Sequence, residues 1–177
     1  MKYVAFLRGI NVGGHNIKME LLREHFLALG FKNVQTYIQT GNVQFESGET
    51  NTKVLGQKIE KHLETQLGYA VPTFIRSLHQ LEQTLISAPF DSIPSTPDTR
   101  HMIVFISDTI PVATVFPMTS PKGDYEIIGS IDEALYVIVH LIDGKFQSSS
   151  FIEKTFGVST TARFFHTSLK ILEAFKK

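Results

Sequence analysis

The order of apolar and polar positions divides the first half of the chain cleanly. Lys2–Leu7 carries an apolar run of strand length, Tyr3–Leu7. Leu21, Leu22, Phe26, Leu27 and Leu29 recur at helical spacing, which predicts a helix over Met19–Leu29 stopped by Gly30. Val34–Ile38 reads as a second strand, Gly41-Asn42 as a turn and Val43–Phe45 as a third strand, so strands two and three make a hairpin. Val54, Ile59, Leu63 and Leu67 mark a second helix, with Asn51 or Thr52 as its N-cap and Gly68 as its stop. Val71–Ile75 is strand four, where Pro72 suits an edge position or the strand's beginning. Ser77 then caps a helix carrying Leu78, Leu81, Leu85 and Ile86.

The order over residues 2–76 is βαββαβ, the ferredoxin-like arrangement, whose usual sheet order is 4-1-3-2. In that order strands one and two run the same way and strand three returns beside strand one. The end of strand one and the turn between strands two and three therefore share one edge of the sheet. Gly9–Asn16 and Gln39–Asn42 are expected to be neighbours. Strand one is apolar on both faces, with Tyr3, Ala5 and Leu7 on one and Val4 and Phe6 on the other, so both faces need cover. We expect the second half of the chain to supply the second cover, with the two halves packed as one unit.

The second half reads less regularly. Pro89, Pro94 and Pro97 among serines and threonines mark 87–100 as a linker. His101–Ile106, Glu126–Ile128 and Leu135–Leu141 are strands, the last ending at an Asp143-Gly144 turn, and Pro111–Lys122 is irregular. Ser148-Ser149-Ser150 reads as a turn and helix cap rather than as nucleophiles. Ser150 with Glu153 fits a capping box for a short helix stopped at Gly157. Thr160 or Thr161 is expected to cap a last helix in which Phe165, Leu169 and Leu172 share a face. A second, degenerate ferredoxin-like unit fits this order, although no internal repeat demonstrates it.

Composition narrows the field. The chain has 177 residues, 42% of them hydrophobic, with 14 phenylalanines and no tryptophan, enough for one compact domain or two small intertwined ones with a phenylalanine-rich core. Seventeen basic residues balance seventeen acidic ones, which leaves no global footprint for a nucleic-acid backbone or an anionic membrane. The absence of cysteine excludes disulfides, thiolate zinc sites and cysteine nucleophiles. The N-terminus reads as a strand rather than a signal peptide, and no run approaches the roughly 18 apolar residues of a membrane helix. The expected setting is cytoplasmic.

The candidate chemistry lies in the two polar clusters. Arg8-Gly9-Ile10-Asn11-Val12-Gly13-Gly14-His15-Asn16 stands between two hydrophobic elements, and strand, glycine-rich loop, helix is a layout that aims backbone N–H groups and a helix dipole at an anion. The loop is neither a Walker A motif nor a Rossmann fingerprint. Its glycines also serve as a turn of permissive residues, with or without a ligand. Arg8 offers a bidentate fork to a carboxylate or phosphate, or else a structural salt bridge. Asn11, Asn16, Gln39 and Asn42 are neutral donors and acceptors, and asparagine also simply tolerates turns. None of the seven histidines (His15, His25, His62, His79, His101, His140, His166) has metal-ligand spacing to another ligand on one helix face, so no metal site is expected. His15 lies in the suspected site but lacks a carboxylate partner, and reads better as an exposed loop histidine than as a general base. No Ser/His/Asp order or carboxylate pair stands out.

These residues carry a family resemblance. Tyr3-Val4-Ala5-Phe6-Leu7-Arg8-Gly9-Ile10-Asn11-Val12-Gly13-Gly14 resembles the N-terminal signature of the domain-of-unknown-function family 1697 (DUF1697). So does Thr36-Tyr37-Ile38-Gln39-Thr40-Gly41-Asn42-Val43-Gln44-Phe45, where the family often has serine in place of Thr40. A third likeness covers Gly157-Val158-Ser159-Thr160-Thr161-Ala162-Arg163, then Thr167 and Lys170. It departs from the pattern after the arginine, where members commonly carry Asn-Trp and this chain has Phe164-Phe165. The resemblance implies an α+β fold of two intertwined ferredoxin-like subdomains with antiparallel sheets, here 1–76 and 77–177. It implies no established activity, and any cofactor is unknown. It supports Arg8, Asn11, Gly13, Gly14, Gln39, Gly41, Asn42 and Arg163 as marked positions.

Three classes of function follow from this reading. The first is a binding module or enzyme for a small anionic, nucleotide- or phosphate-like ligand, built from Arg8, Gly9, Asn11, Gly13, Gly14, Gln39, Thr40, Gly41 and Asn42. Arg163 joins them if the last helix docks beside the glycine loop. The second is an RNA-binding module, since ferredoxin-like sheets often offer an aromatic platform. Zero net charge and the lack of an aromatic-and-basic signature weigh against it. The third is a protein–protein scaffold.

Overall fold

The computed structural model describes residues 1–147 and 150–177; Ser148 and Ser149, read above as part of a turn, lie outside the described residues. The chain divides into two compact units, Met1–Glu82 with Lys170–Lys177, and Gln83–Leu169. Among the described residues the strands form two antiparallel sheets, one of four strands and one of five.

The first unit follows the order β1 (Lys2–Leu7), α1 (Met19–Ala28), β2 (Lys32–Tyr37), β3 (Asn42–Glu46), α2 (Thr52–Leu67), β4 (Thr73–Ser77), then α3 (Leu78–Ile86). Its sheet runs β2-β3-β1-β4, which read from the other edge is β4-β1-β3-β2. The apolar β1 takes an inner position, paired antiparallel with β3 (Phe6 opposite Asn42) and with β4 (Leu7 opposite Thr73). Pro72 stands just before the edge strand β4, where its missing N–H costs no ladder bond.

The helices begin and end where local chemistry dictates. Asn51 caps α2 by accepting hydrogen bonds from the backbone N–H groups of Lys53 and Val54, and Gly68 ends it in the left-handed region. Ser77 and Gln80 form a reciprocal capping box at α3: the Gln80 N–H donates to Ser77 Oγ at 3.0 Å, and the Ser77 N–H to Gln80 Oε1 at 2.8 Å. On one face of the sheet Tyr3, Ala5, Leu7, Val43, Phe45 and Ile75 pack with Leu22 and Phe26 of α1 and Leu55, Ile59 and Leu63 of α2. Each valine, leucine, isoleucine or phenylalanine among them contributes roughly 1.5–3 kcal/mol on full burial. Val4 and Phe6 alternate to the opposite face and are also fully buried.

The second unit contains the rest of α3, a 3-10 turn (Pro89–Ser92), β5 (Thr99–Ile106), β6 (Met118–Thr119), β7 (Tyr125–Ile131), β8 (Ala134–His140), α4 (Phe151–Phe156) and β9 (Thr160–Phe164). The last helix, α5 (Phe165–Lys176), begins in this unit and ends in the other. The sheet order is β6-β7-β8-β5-β9. Met102, Val104, Ile106, Ile127, Leu135, Val137 and Val139 pack with Ile152 of α4.

Several expectations for this half need correction. The 87–100 stretch is not uniformly irregular: Phe90 is buried in the 3-10 turn, stacked on His101 and beside Phe165, and Thr99 and Arg100 already belong to β5. Thr160 and Thr161 do not cap the last helix. They start β9, which pairs with β5, and the helix follows without an intervening turn. The inward positions of β9 are Thr161 and Arg163, so an apolar periodicity had nothing to register. Leu169 does not share the buried face of α5, which is formed by Ser168, Ile171, Leu172 and Phe175. Ser150 precedes α4 but makes no side-chain cap; Glu153 instead accepts hydrogen bonds from the Thr160 N–H and hydroxyl, both at 3.2 Å.

Candidate functional site

The two polar clusters of the first unit meet at the end of β1. The Leu7 N–H donates to the Gly41 carbonyl at 2.8 Å, and the Arg8 N–H to the Pro72 carbonyl at 2.9 Å. Three segments therefore converge on this edge: the β1–α1 loop, the β2–β3 turn and the approach to β4. The third was missed in the sequence reading. It follows from the sheet order, since β4 runs antiparallel to β1 and must begin where β1 ends.

Asn11 is the centre of the loop's internal bonding. Its Oδ1 accepts from the Ile17 N–H at 2.6 Å, and its Nδ2 donates to the Gln39 carbonyl at 2.9 Å and to the Ile17 carbonyl at 3.4 Å. One side chain thus closes the loop on itself and ties it to the neighbouring turn. Asn42, fully buried, does the same for that turn, donating to the Tyr37 carbonyl at 3.1 Å and to Thr40 Oγ1 at 2.8 Å. Gly41 sits with φ at +75°, and a Cβ there would fall 2.7 Å from Ile10 Cγ2 and 2.9 Å from Leu7 Cβ. Only glycine fits both the angle and the space.

The outer part of the loop is a tight turn in which the His15 N–H donates to the Val12 carbonyl at 3.3 Å and Gly13 and Gly14 both have positive φ. Tyr69 supports it from the α2–β4 connection. Its hydroxyl donates to the Ile10 carbonyl at 2.9 Å, and its ring stacks on the His15 imidazole with centroids 3.6 Å apart. Burial pushes the Tyr69 phenol above its usual range, which keeps it a donor. His15 is exposed, as read, but is held by the stack. Arg8, Gly9, Gly13, Gly14, Gln39 and Thr40 are exposed at this edge, whereas Ile10, Gly41 and Asn42 lie beneath it.

Arg163 lies in the second unit, on β9 rather than on the last helix. It is buried, and its Nη1 donates to the Ala162 carbonyl at 2.8 Å and to Thr161 Oγ1 at 3.0 Å. Burial brings its guanidinium down to about 10. Among the described residues no cluster of three or more histidine, cysteine, aspartate or glutamate side chains is placed to hold a metal ion. No helix of those residues is long and apolar enough to cross a membrane.

The chain is similar, over 99% of its length and 98% of the other's, to the conserved bacterial protein SP0830 from Streptococcus pneumoniae, with 20% identity and a TM-score of 0.71, a likeness of fold. No curated protein matches. The family of proteins of unknown function DUF1697 matches residues 1–136, which include the β1–α1 loop and the β2–β3 turn but not Arg163. With most of its length matched, the chain belongs to the DUF1697 family.

Proposed function

We propose that the edge formed by Arg8–Asn16 and Gln39–Asn42 binds a small anionic ligand of nucleotide or phosphate type. The observation that carries this reading is the division of labour within the loop. Asn11, Asn42 and Tyr69 hold the backbone from beneath, while Arg8, Gln39, Thr40 and the bare backbone of Gly13 and Gly14 are exposed above. A loop braced from beneath, with Arg8 and glycine backbone on its exposed side, binds an anion without first having to be ordered. In this reading Arg8 supplies the charge-assisted contact, Gly9, Gly13 and Gly14 admit close approach of the ligand, and Gln39 and Thr40 are polar contacts. Gly41, Asn11 and Asn42 act as scaffold. The reading rests on the first unit, and Arg163 is not required by it.

We further infer that the first unit is a ferredoxin-like subdomain, supported by its βαββαβ order and the β4-β1-β3-β2 sheet.

The test is a thermal-shift screen of the whole chain against nucleotides, sugar phosphates and inorganic phosphate, with Arg8→Ala in parallel. A ligand at ~100 times its dissociation constant stabilises the fold by about 2.7 kcal/mol. The expected outcome is stabilisation of the wild type that Arg8→Ala loses. No shift with any anion, or a shift that Arg8→Ala retains in full, would overturn the proposal.

A further inference from the structure

His25 and His62 stand 37 residues apart in sequence, on different helices, and their ring nitrogens meet: His62 Nε2 lies 3.3 Å from His25 Nδ1. The rings are at 67° to one another, with centroids 5.3 Å apart, and both side chains are part-buried on the first unit. We propose that His25 of α1 and His62 of α2 form a two-imidazole binding site for a divalent transition-metal ion of the zinc type, with water in the remaining positions.

Zinc binds imidazole nitrogen at about 2.0–2.1 Å in a tetrahedral arrangement, so two ligand nitrogens on one ion sit about 3.3–3.4 Å apart. An octahedral ion at the same bond length would need cis nitrogens about 2.9 Å apart, which the observed separation does not match. The pair is therefore spaced as one edge of a coordination tetrahedron, with the backbone of two packed helices fixing that edge.

The protonation states also agree. One imidazole now donates a hydrogen bond to the other, and a metal would take the place of that bridging proton. With His62 as donor, its proton moves from Nε2 to Nδ1 through solvent, and His25 keeps its proton on Nε2. Both nitrogens facing the gap are then lone pairs, and no net proton is released when both rings begin neutral. No third histidine, cysteine, aspartate or glutamate completes the site among the described residues, so the site is weak and open, one that a water or an incoming ligand finishes.

The experiment titrates metal-free wild-type protein with zinc chloride, following the histidine side-chain nitrogens by NMR and the heat by calorimetry. Magnesium chloride is the control. We expect one equivalent of zinc to bind in the micromolar range, to move the imidazole signals of His25 and His62, and to lose affinity about tenfold or more in His25→Ala and in His62→Ala. Magnesium is expected to move neither signal. Imidazole signals of His25 and His62 that stay fixed under excess zinc would overturn the proposal, a readout that needs no variant to fold. So would zinc affinity that survives the double substitution, which would place the metal on other histidines. Arg8→Ala leaves zinc binding unchanged, which keeps this test separate from that of the glycine loop.

Discussion

Glycines that look alike in sequence do different work at the end of β1. Gly13 and Gly41 share a positive φ, +67° and +75°, yet a Cβ at Gly13 meets nothing within 4 Å, while one at Gly41 collides with Ile10 and Leu7. Gly13→Ala therefore carries only the backbone penalty of the left-handed region, about 1–2 kcal/mol. Gly41→Ala adds an overpacking cost of about 1–3 kcal/mol, because the atoms it meets belong to the buried Leu7 and Ile10 rather than to a flexible surface side chain. In urea unfolding monitored by circular dichroism, Gly41→Ala is expected to lower the midpoint by clearly more than Gly13→Ala. Equal losses would mean that the Ile10 contact relaxes freely. Asn11 teaches the same lesson from the polar side. Its residue type suggested a ligand contact, and its three hydrogen bonds show a brace that holds the loop to Gln39 and Ile17.

Elements add a behaviour that no single residue has. The packing of α1 against α2 places His25 beside His62, and the fold prefers the neutral imidazole at His25, first because burial penalises its charge and then because His62 is close; Glu24 opposes both. A base whose folded pKa is lowered contributes stability that is complete above its unfolded value, about 6.5, and is lost as the pH falls through the folded value. The unfolding midpoint is thus expected to drop between pH 7 and pH 5, and to drop less in His25→Gln. His101, lowered by its own burial against Phe90, acts in the same direction in the second unit, so the informative quantity is the difference between wild type and variant. An identical pH profile in the two proteins would show that the helix seam does not feel the titration. β9 went unrecognised, as did the two-residue β6 inside the stretch read as irregular, and for β9 the reason is specific. Its inward residues are a threonine and an arginine, whose burial depends on hydrogen bonds made after folding.

For the whole molecule, equal numbers of acidic and basic residues put the isoelectric point near 7.1. A protein without net charge lacks long-range self-repulsion, so light scattering is expected to show the greatest self-association near pH 7 and less at pH 9. Solubility independent of pH across that range would argue that local patches dominate. Much of the first unit was legible beforehand because its signals are local. Apolar runs, a cap at Asn51 or Thr52, a Gly68 stop and a Ser77 cap specify elements through bonds between residues a few positions apart. Their order then implied which loops meet, and the Leu7–Gly41 and Asn11–Gln39 hydrogen bonds join those loops. By itself, then, the sequence determined the elements of the first unit, the neighbourhood of its two polar clusters and the family to which the chain belongs. Only the tertiary structure decided that Tyr69 props the loop, that Asn11 and Asn42 face inward, that Arg163 lies in a strand and that His25 meets His62. Each of these depends on side-chain direction and on contacts between residues distant along the chain, which packing sets and which neither spacing nor composition encodes.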